Sequence, residues 1–126
     1  MTTAQRLRVL ARPYLVDFVE DGSLPADGRW TALVRAPEGL TVVREAPPAT
    51  GDGLWAGLYG GETAHGPDTP GMLAALVGPL AQAGIAVFVA STFHADLLLV
   101  PYERLPEAVE VLRGAGHEVD PAAREP

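Results

Sequence analysis

Two hydrophobic periods alternate along the second half of the chain. Residues 54–59 are a short apolar run closed off by Gly51, Gly53, Gly60 and Gly61, which suits a strand, and residues 60–67 have turn composition. The period then lengthens: Leu73, Leu76, Val77 and Leu80 recur at i, i+3, i+4 and i+7, one apolar stripe along a helix. Asp68-Thr69-Pro70 offers that helix a capping side chain and a proline for its first turn, and Gly84 offers the left-handed stop. Residues 85–90 and 95–100 return to β-favouring composition around a turn at 91–94, which predicts an antiparallel hairpin. Leu105, Ala108, Val109 and Leu112 repeat the helical stripe, with Pro106 near its start and Gly114 and Gly116 after its end, and residues 117–119 are left as a short final strand.

The resulting order, βαββαβ from residue 53 onward, predicts an α+β ferredoxin-like sandwich with both helices on one face of an antiparallel sheet. The first half shows four β-favouring runs, at 7–10, 14–19, 30–35 and 40–44, and no amphipathic helix. Such a sheet leaves one face uncovered, so it should pack against the second half, within the chain or in a partner chain.

Composition removes chemistry. The 126 residues include no Cys, no Lys, no Asn and only two Ser, Ser23 and Ser91. A thiol nucleophile, a disulfide framework, a thiolate metal site, a Schiff-base lysine and a P-loop are excluded with them, and no cofactor is expected. The net charge of −7 and the scatter of nine Arg from Arg6 to Arg124 argue against nucleic acid. With no run of 18 apolar residues and no signal-peptide core, the sequence predicts a cytoplasmic protein without a membrane partner.

The densest polar cluster is Ser91-Thr92-Phe93-His94-Ala95-Asp96. Ser91 and His94 are an odd number of residues apart, so a strand would point them to opposite faces, and no G-x-S-x-G elbow accompanies them; a hydrolytic triad is not expected. A metal held by His94, Asp96 and the distant His65 has no specific spacing, and an exposed hairpin histidine beside a capping aspartate accounts for the same residues. His117 reads as an ordinary exposed residue at the entrance to the last strand. Asp96 is different, because it abuts the wholly apolar Leu97-Leu98-Leu99-Val100, and a carboxylate there needs a partner. The partner is either a hydroxyl such as Thr92 or a backbone N–H, or else a ligand cation. Thr69-Pro70-Gly71-Met72 adds a helix start whose free N–H groups can hold an anion, with Gly71 allowing close approach. An anion site beside a cation site suits a zwitterion.

Several runs resemble a known family. Gly71-Met72-Leu73-Ala74-Ala75-Leu76, then Pro79-Leu80-Ala81, Ala83-Gly84-Ile85, and Ser91-Thr92-Phe93 with Asp96 and Leu99-Val100 resemble the motifs of stand-alone bacterial ACT-domain proteins. These are similar to the ACT modules of aspartate kinases and of the cytosolic arginine sensor of animals. In the first half, Tyr14-Leu15-Val16, Leu24-Pro25, Thr31-Ala32-Leu33-Val34-Arg35 and Glu38-Gly39-Leu40-Thr41-Val42-Val43 resemble the same family, so the likeness spans roughly residues 7–119. It implies two ACT-like modules, an N-terminal β-rich one at 1–50 and a βαββαβ one at 51–120, followed by a tail at 121–126. It also implies a homodimer that regulates and does not catalyse, with an amino acid or similar small zwitterion at a module or subunit interface. The matching motif implies ligand contact for Thr92, Phe93 and Asp96 and close backbone approach at Gly71; the free N–H groups of the helix start add Met72 to the expected contacts. A ferredoxin-like oligomerisation module, in which these residues only satisfy a hairpin and a helix cap, is the alternative.

Overall fold

The computed structural model describes residues 4–61 and 69–121. In chain order the elements are β1 (Arg6–Val9), β2 (Tyr14–Val19), β3 (Ala32–Ala36), β4 (Gly39–Glu45), β5 (Trp55–Tyr59), α1 (Met72–Gln82), β6 (Phe88–Ser91), β7 (Asp96–Pro101), a 3-10 turn (Tyr102–Arg104), α2 (Leu105–Gly114) and β8 (Glu118–Asp120). A mixed sheet carrying two helices fits the expected ferredoxin-like sandwich. No helix among the described residues is long and apolar enough to cross a membrane.

All eight strands belong to one sheet. β7 pairs antiparallel with the whole of β5, and β6 flanks β7 as the predicted hairpin partner. The other edge of β5 is shared, β1 lying against Leu58 and Tyr59 and β2 against Trp55. β8 does not reach β5: β1 lies between them, antiparallel to β5 and parallel to β8, with Arg6 opposite Glu118. The first strand of the chain therefore completes the sheet of the C-terminal half. The remaining N-terminal strands follow in the order β2, β4, β3.

Two apolar clusters occupy the two faces. On the helix side Leu76 and Leu80 of α1 and Ala108 and Leu112 of α2 bury against Leu7, Leu58, Leu98 and Val100, the residues that the two helical stripes predict. On the other side Leu97 and Leu99 bury with Tyr14 and Val43, and Trp55 and Phe88 pack edge to face against this group. β7 is thus covered on both faces, which is why residues 97–100 are apolar without alternation. Gly57 lets this happen, since a Cβ there would lie 3.0 Å from the Tyr14 ring.

Both helices end in the same way. Gly84 (φ 72°) and Gly116 (φ 97°) take the left-handed conformation. Gly84 N–H donates to Ala81 O and Ile85 N–H to Leu80 O; Gly116 N–H donates to Arg113 O and His117 N–H to Leu112 O. These are two Schellman caps, in which the residue after glycine folds back onto the last turn. The predicted strand at 85–90 consequently starts only at Phe88, because Ile85 is spent on the cap.

The start of α1 differs from the expected Asp68 or Thr69 cap. Gly71 occupies the N-cap with φ 81°, and among the described residues no side chain caps the helix. A left-handed residue there turns the chain directly into the helix and leaves Thr69 and Pro70 before it; Asp68 lies outside the described residues, as do residues 62–67 of the turn predicted at 60–67 and most of the tail.

Gly39, opening β4, carries φ 151°, and a Cβ there would sit 2.7 Å from the Val19 carbonyl oxygen. Gly39→Ala is expected to cost about 2 kcal/mol or more, because a strained φ and a clash with unyielding backbone add together. Urea unfolding measures this, and a wild-type midpoint would contradict it.

Candidate functional site

Thr92, Phe93 and Asp96 lie together at the β6–β7 hairpin. Thr92 closes the turn itself: its N–H and its hydroxyl both donate to Ala95 O, at 2.8 and 3.1 Å, and its Oγ1 accepts from Ala95 N–H at 3.0 Å. Asp96 follows at the first position of β7, opposite Ser91, and is only 4% exposed. Alternation along β7 puts it on the helix side with Leu98 and Val100. Ser91 Oγ donates to Asp96 Oδ1 at 2.8 Å. The hydroxyl partner that the sequence suggests is therefore present, but it is Ser91, because Thr92 is committed to its own turn.

His94 is exposed, and its ring meets Phe93 edge to face at 4.9 Å. Ser91 hydrogen-bonds Asp96, so the serine, histidine and aspartate do not form a relay. Among the described residues no three His, Asp or Glu side chains gather to hold a metal, and His65 lies outside them. Phe93 is 70% exposed.

Gly71 and Met72 form the start of α1. Among the described residues nothing lies within 4 Å of where a Gly71 Cβ would be. The helix ladder begins with Ala75 N–H donating to Gly71 O, and among the described residues no side chain caps the first turn. The two groups of predicted residues belong to the same end of the sheet. β5 finishes there, Gly60 N–H donates to Asp96 O at 3.1 Å, and the chain continues from β5 to α1.

His117 corrects the sequence reading: it is not an ordinary exposed residue but 6% exposed, at this same end. Its Nδ1 accepts from Gln5 N–H at 3.0 Å, so the ring proton sits on Nε2, 2.8 Å from Ala75 O. Ala75 needs that donor. The residue four positions on is Pro79, which has no N–H to give. Gln5 adds a second tie, donating from Nε2 to Met72 O at 2.7 Å, while its carbonyl accepts from Glu118 N–H at 2.9 Å. β1, α1 and the end of α2 are thereby bonded through one imidazole and one amide. A signal for this existed in the sequence: Ala115-Gly116-His117 repeats Ala83-Gly84-Ile85, and the position after a Schellman glycine is a buried one.

Comparison with known proteins places this geometry. Residues 54–114 match a family model described as ACT domain, from the residue before β5 to the end of α2. The match stops short of β8, the strand displaced by β1. No curated protein matches. Among solved structures, protein Atu0741 of Agobacterium tumefaciens superposes with a TM-score of 0.78 at 24% identity, covering 98% of this chain and 97% of that one. VC0802 of Vibrio cholerae, described as a protein of unknown function and possible transport protein, superposes with a TM-score of 0.70 at 24% identity, covering 89% of this chain and 88% of that one. At these identities the likeness shows the fold.

Proposed function

Belonging to the ACT-domain family through residues 54–114, this chain is, we propose, a regulatory protein that binds a free amino acid or similar small zwitterion in a homodimer. ACT domains are commonly regulatory and ligand-binding; the amino acid, the dimer and the residues that hold the ligand are our reading. The observation that carries it is Asp96, a carboxylate buried at the sheet end from which the chain passes to α1, a helix whose first turn has no side-chain cap among the described residues.

In this reading Asp96 takes the ammonium group, and the backbone N–H groups of Gly71 and Met72 take the carboxylate with help from the helix dipole. Thr92 holds the turn that positions Asp96. Phe93 is largely exposed, which supports an interface in which a second copy closes the pocket over the phenyl ring. The strands of residues 14–45 serve as the smaller, helix-free partner module. Binding regulates by favouring the assembled arrangement over the open one, since a ligand shifts only an equilibrium whose states it binds unequally.

Thermal shift and calorimetry against the twenty amino acids test this. At least one is expected to bind, and Asp96→Asn to weaken it by about tenfold or more, the worth of a charge-assisted hydrogen bond. Silence from all twenty, or an Asp96→Asn protein that binds as wild type, removes the reading. The Ser91–Asp96 and Thr92–Ala95 hydrogen bonds favour one alternative, an oligomerisation module whose polar hairpin residues satisfy only one another.

A further inference from the structure

A cleft of about 550 Å³ opens on the N-terminal half, away from the residues discussed so far. It is lined by Arg12, Asp27, Arg29, Trp30, Arg44, Glu45 and the 46–48 segment. Three arginines face two carboxylates there, in a chain whose net charge is −7. The balance is more uneven than that count. Asp27 is spent twice, with Oδ1 accepting from Arg29 backbone N–H at 3.0 Å and Oδ2 from Arg44 Nη2 at 2.7 Å. The Arg29 N–H, and after it Arg44, holds the Asp27 carboxyl below the usual carboxylate range. Glu45 lies 4.0 Å from Arg12. Among the described residues the Arg29 guanidinium makes no ion pair, and Asp27, already bonded to Arg44, feels its charge more weakly than that of Arg44. Asp27 does not saturate Arg44 either, whose Nε is buried with no acceptor among the described residues.

The walls are fixed before any ligand arrives. Thr31 N–H donates to Val43 O at 2.7 Å, pinning the loop that carries Arg29 and Trp30 to β4, and Ala46 N–H donates to Pro13 O at 2.9 Å, pinning the opposite wall. Pro47 and Pro48 stiffen that wall further. Between them Trp30 keeps 45% of its surface in solvent, although an indole gains more from burial than almost any other side chain. Surplus positive charge, an exposed flat aromatic surface and rigid walls are the features of a small-molecule site.

We propose that this cleft is a second ligand site, for a carboxylate carried on an aromatic or otherwise planar body. The Arg29 guanidinium takes the carboxylate, and Trp30 stacks on the planar part. This site is independent of Asp96 and of the helix start.

Calorimetry on the full chain tests it, with benzoate as the probe, benzyl alcohol as its uncharged counterpart and inorganic phosphate as an anion without a planar body. Benzoate is expected to saturate the protein at about millimolar concentration or below. Arg29→Ala and Trp30→Ala should each weaken it by about tenfold. Arg104→Ala, which removes an exposed arginine paired with Glu107 on α2, should bind benzoate as wild type does. Benzyl alcohol and phosphate should bind at least about tenfold more weakly than benzoate. Three results would each overturn the proposal: no saturation by benzoate, phosphate or benzyl alcohol binding as tightly as benzoate, or an Arg29→Ala protein indistinguishable from wild type.

Discussion

His117→Ala is expected to lower the free energy of unfolding by about 2–4 kcal/mol, far more than the sequence position of a polar residue beside a glycine suggests. The substitution removes two hydrogen bonds and strands their partners. Gln5 N–H loses its acceptor in a buried site, and Ala75 O loses the donor that Pro79 cannot replace. Each stranded group costs about 1–3 kcal/mol. At about 3–5 °C per kcal/mol for a chain of this size, the melting temperature should fall by roughly 10 °C. The physical account makes a stricter demand. Pro79→Ala restores a helix N–H aimed at Ala75 O, so His117→Ala should cost about 1 kcal/mol less in the Pro79→Ala background. Thermal or urea unfolding of the four proteins measures that coupling. An unchanged cost would show that His117 serves packing and not the helix carbonyl.

Leu99→Ala is the second large effect, with an expected loss of about 3–5 kcal/mol. Leu99 is fully buried on the face of β7 opposite the helices, in the cluster with Tyr14 and Val43. Truncating it opens a cavity between the two halves of the chain, where a relaxing β2 and β4 would have to break their register to fill it. The loss should therefore be accompanied by earlier amide exchange in β2 and β4, while α1 and α2, packed on the other face around Leu98 and Val100, keep their protection. Uniform loss of protection through the chain would mean that the two faces form a single cooperative unit.

What was legible in the sequence follows from the range of the interactions involved. The helices of the C-terminal half were readable because Leu76, Leu80, Ala108 and Leu112 mark a face by their spacing alone. The β6–β7 hairpin was readable because a turn joins neighbours in sequence. The place of β1 was not, because alternation along Arg6–Val9 says which side chains are buried and nothing about which strand lies alongside. The same limit explains Asp96, whose need for some partner is plain from the sequence while the choice of Ser91 over Thr92 depends on turn geometry. His117 reads as exposed from its residue type, but its place after a Schellman glycine buries it, as Ile85 is buried in the equivalent place after the first helix. The Arg29 and Trp30 cleft draws on three separated stretches, at 12, 27–31 and 44–48, that only the folded loop brings together.

The insertion of β1 also decides when this protein can finish folding during synthesis. Its parallel neighbour, β8, begins 112 positions later, since Arg6 pairs with Glu118. Until β8 leaves the ribosome, β1 has a partner on one side only, and its other edge is a bare row of hydrogen-bonding groups. Closing a loop of this length carries a large entropic cost that local contacts do not repay, so the β1–β8 seam should form after the rest. In the folded sheet β1 and β8 then lie side by side. A permutant that joins β8 to β1 by a short linker and opens the chain elsewhere should leave the sheet intact and bring its slowest step forward.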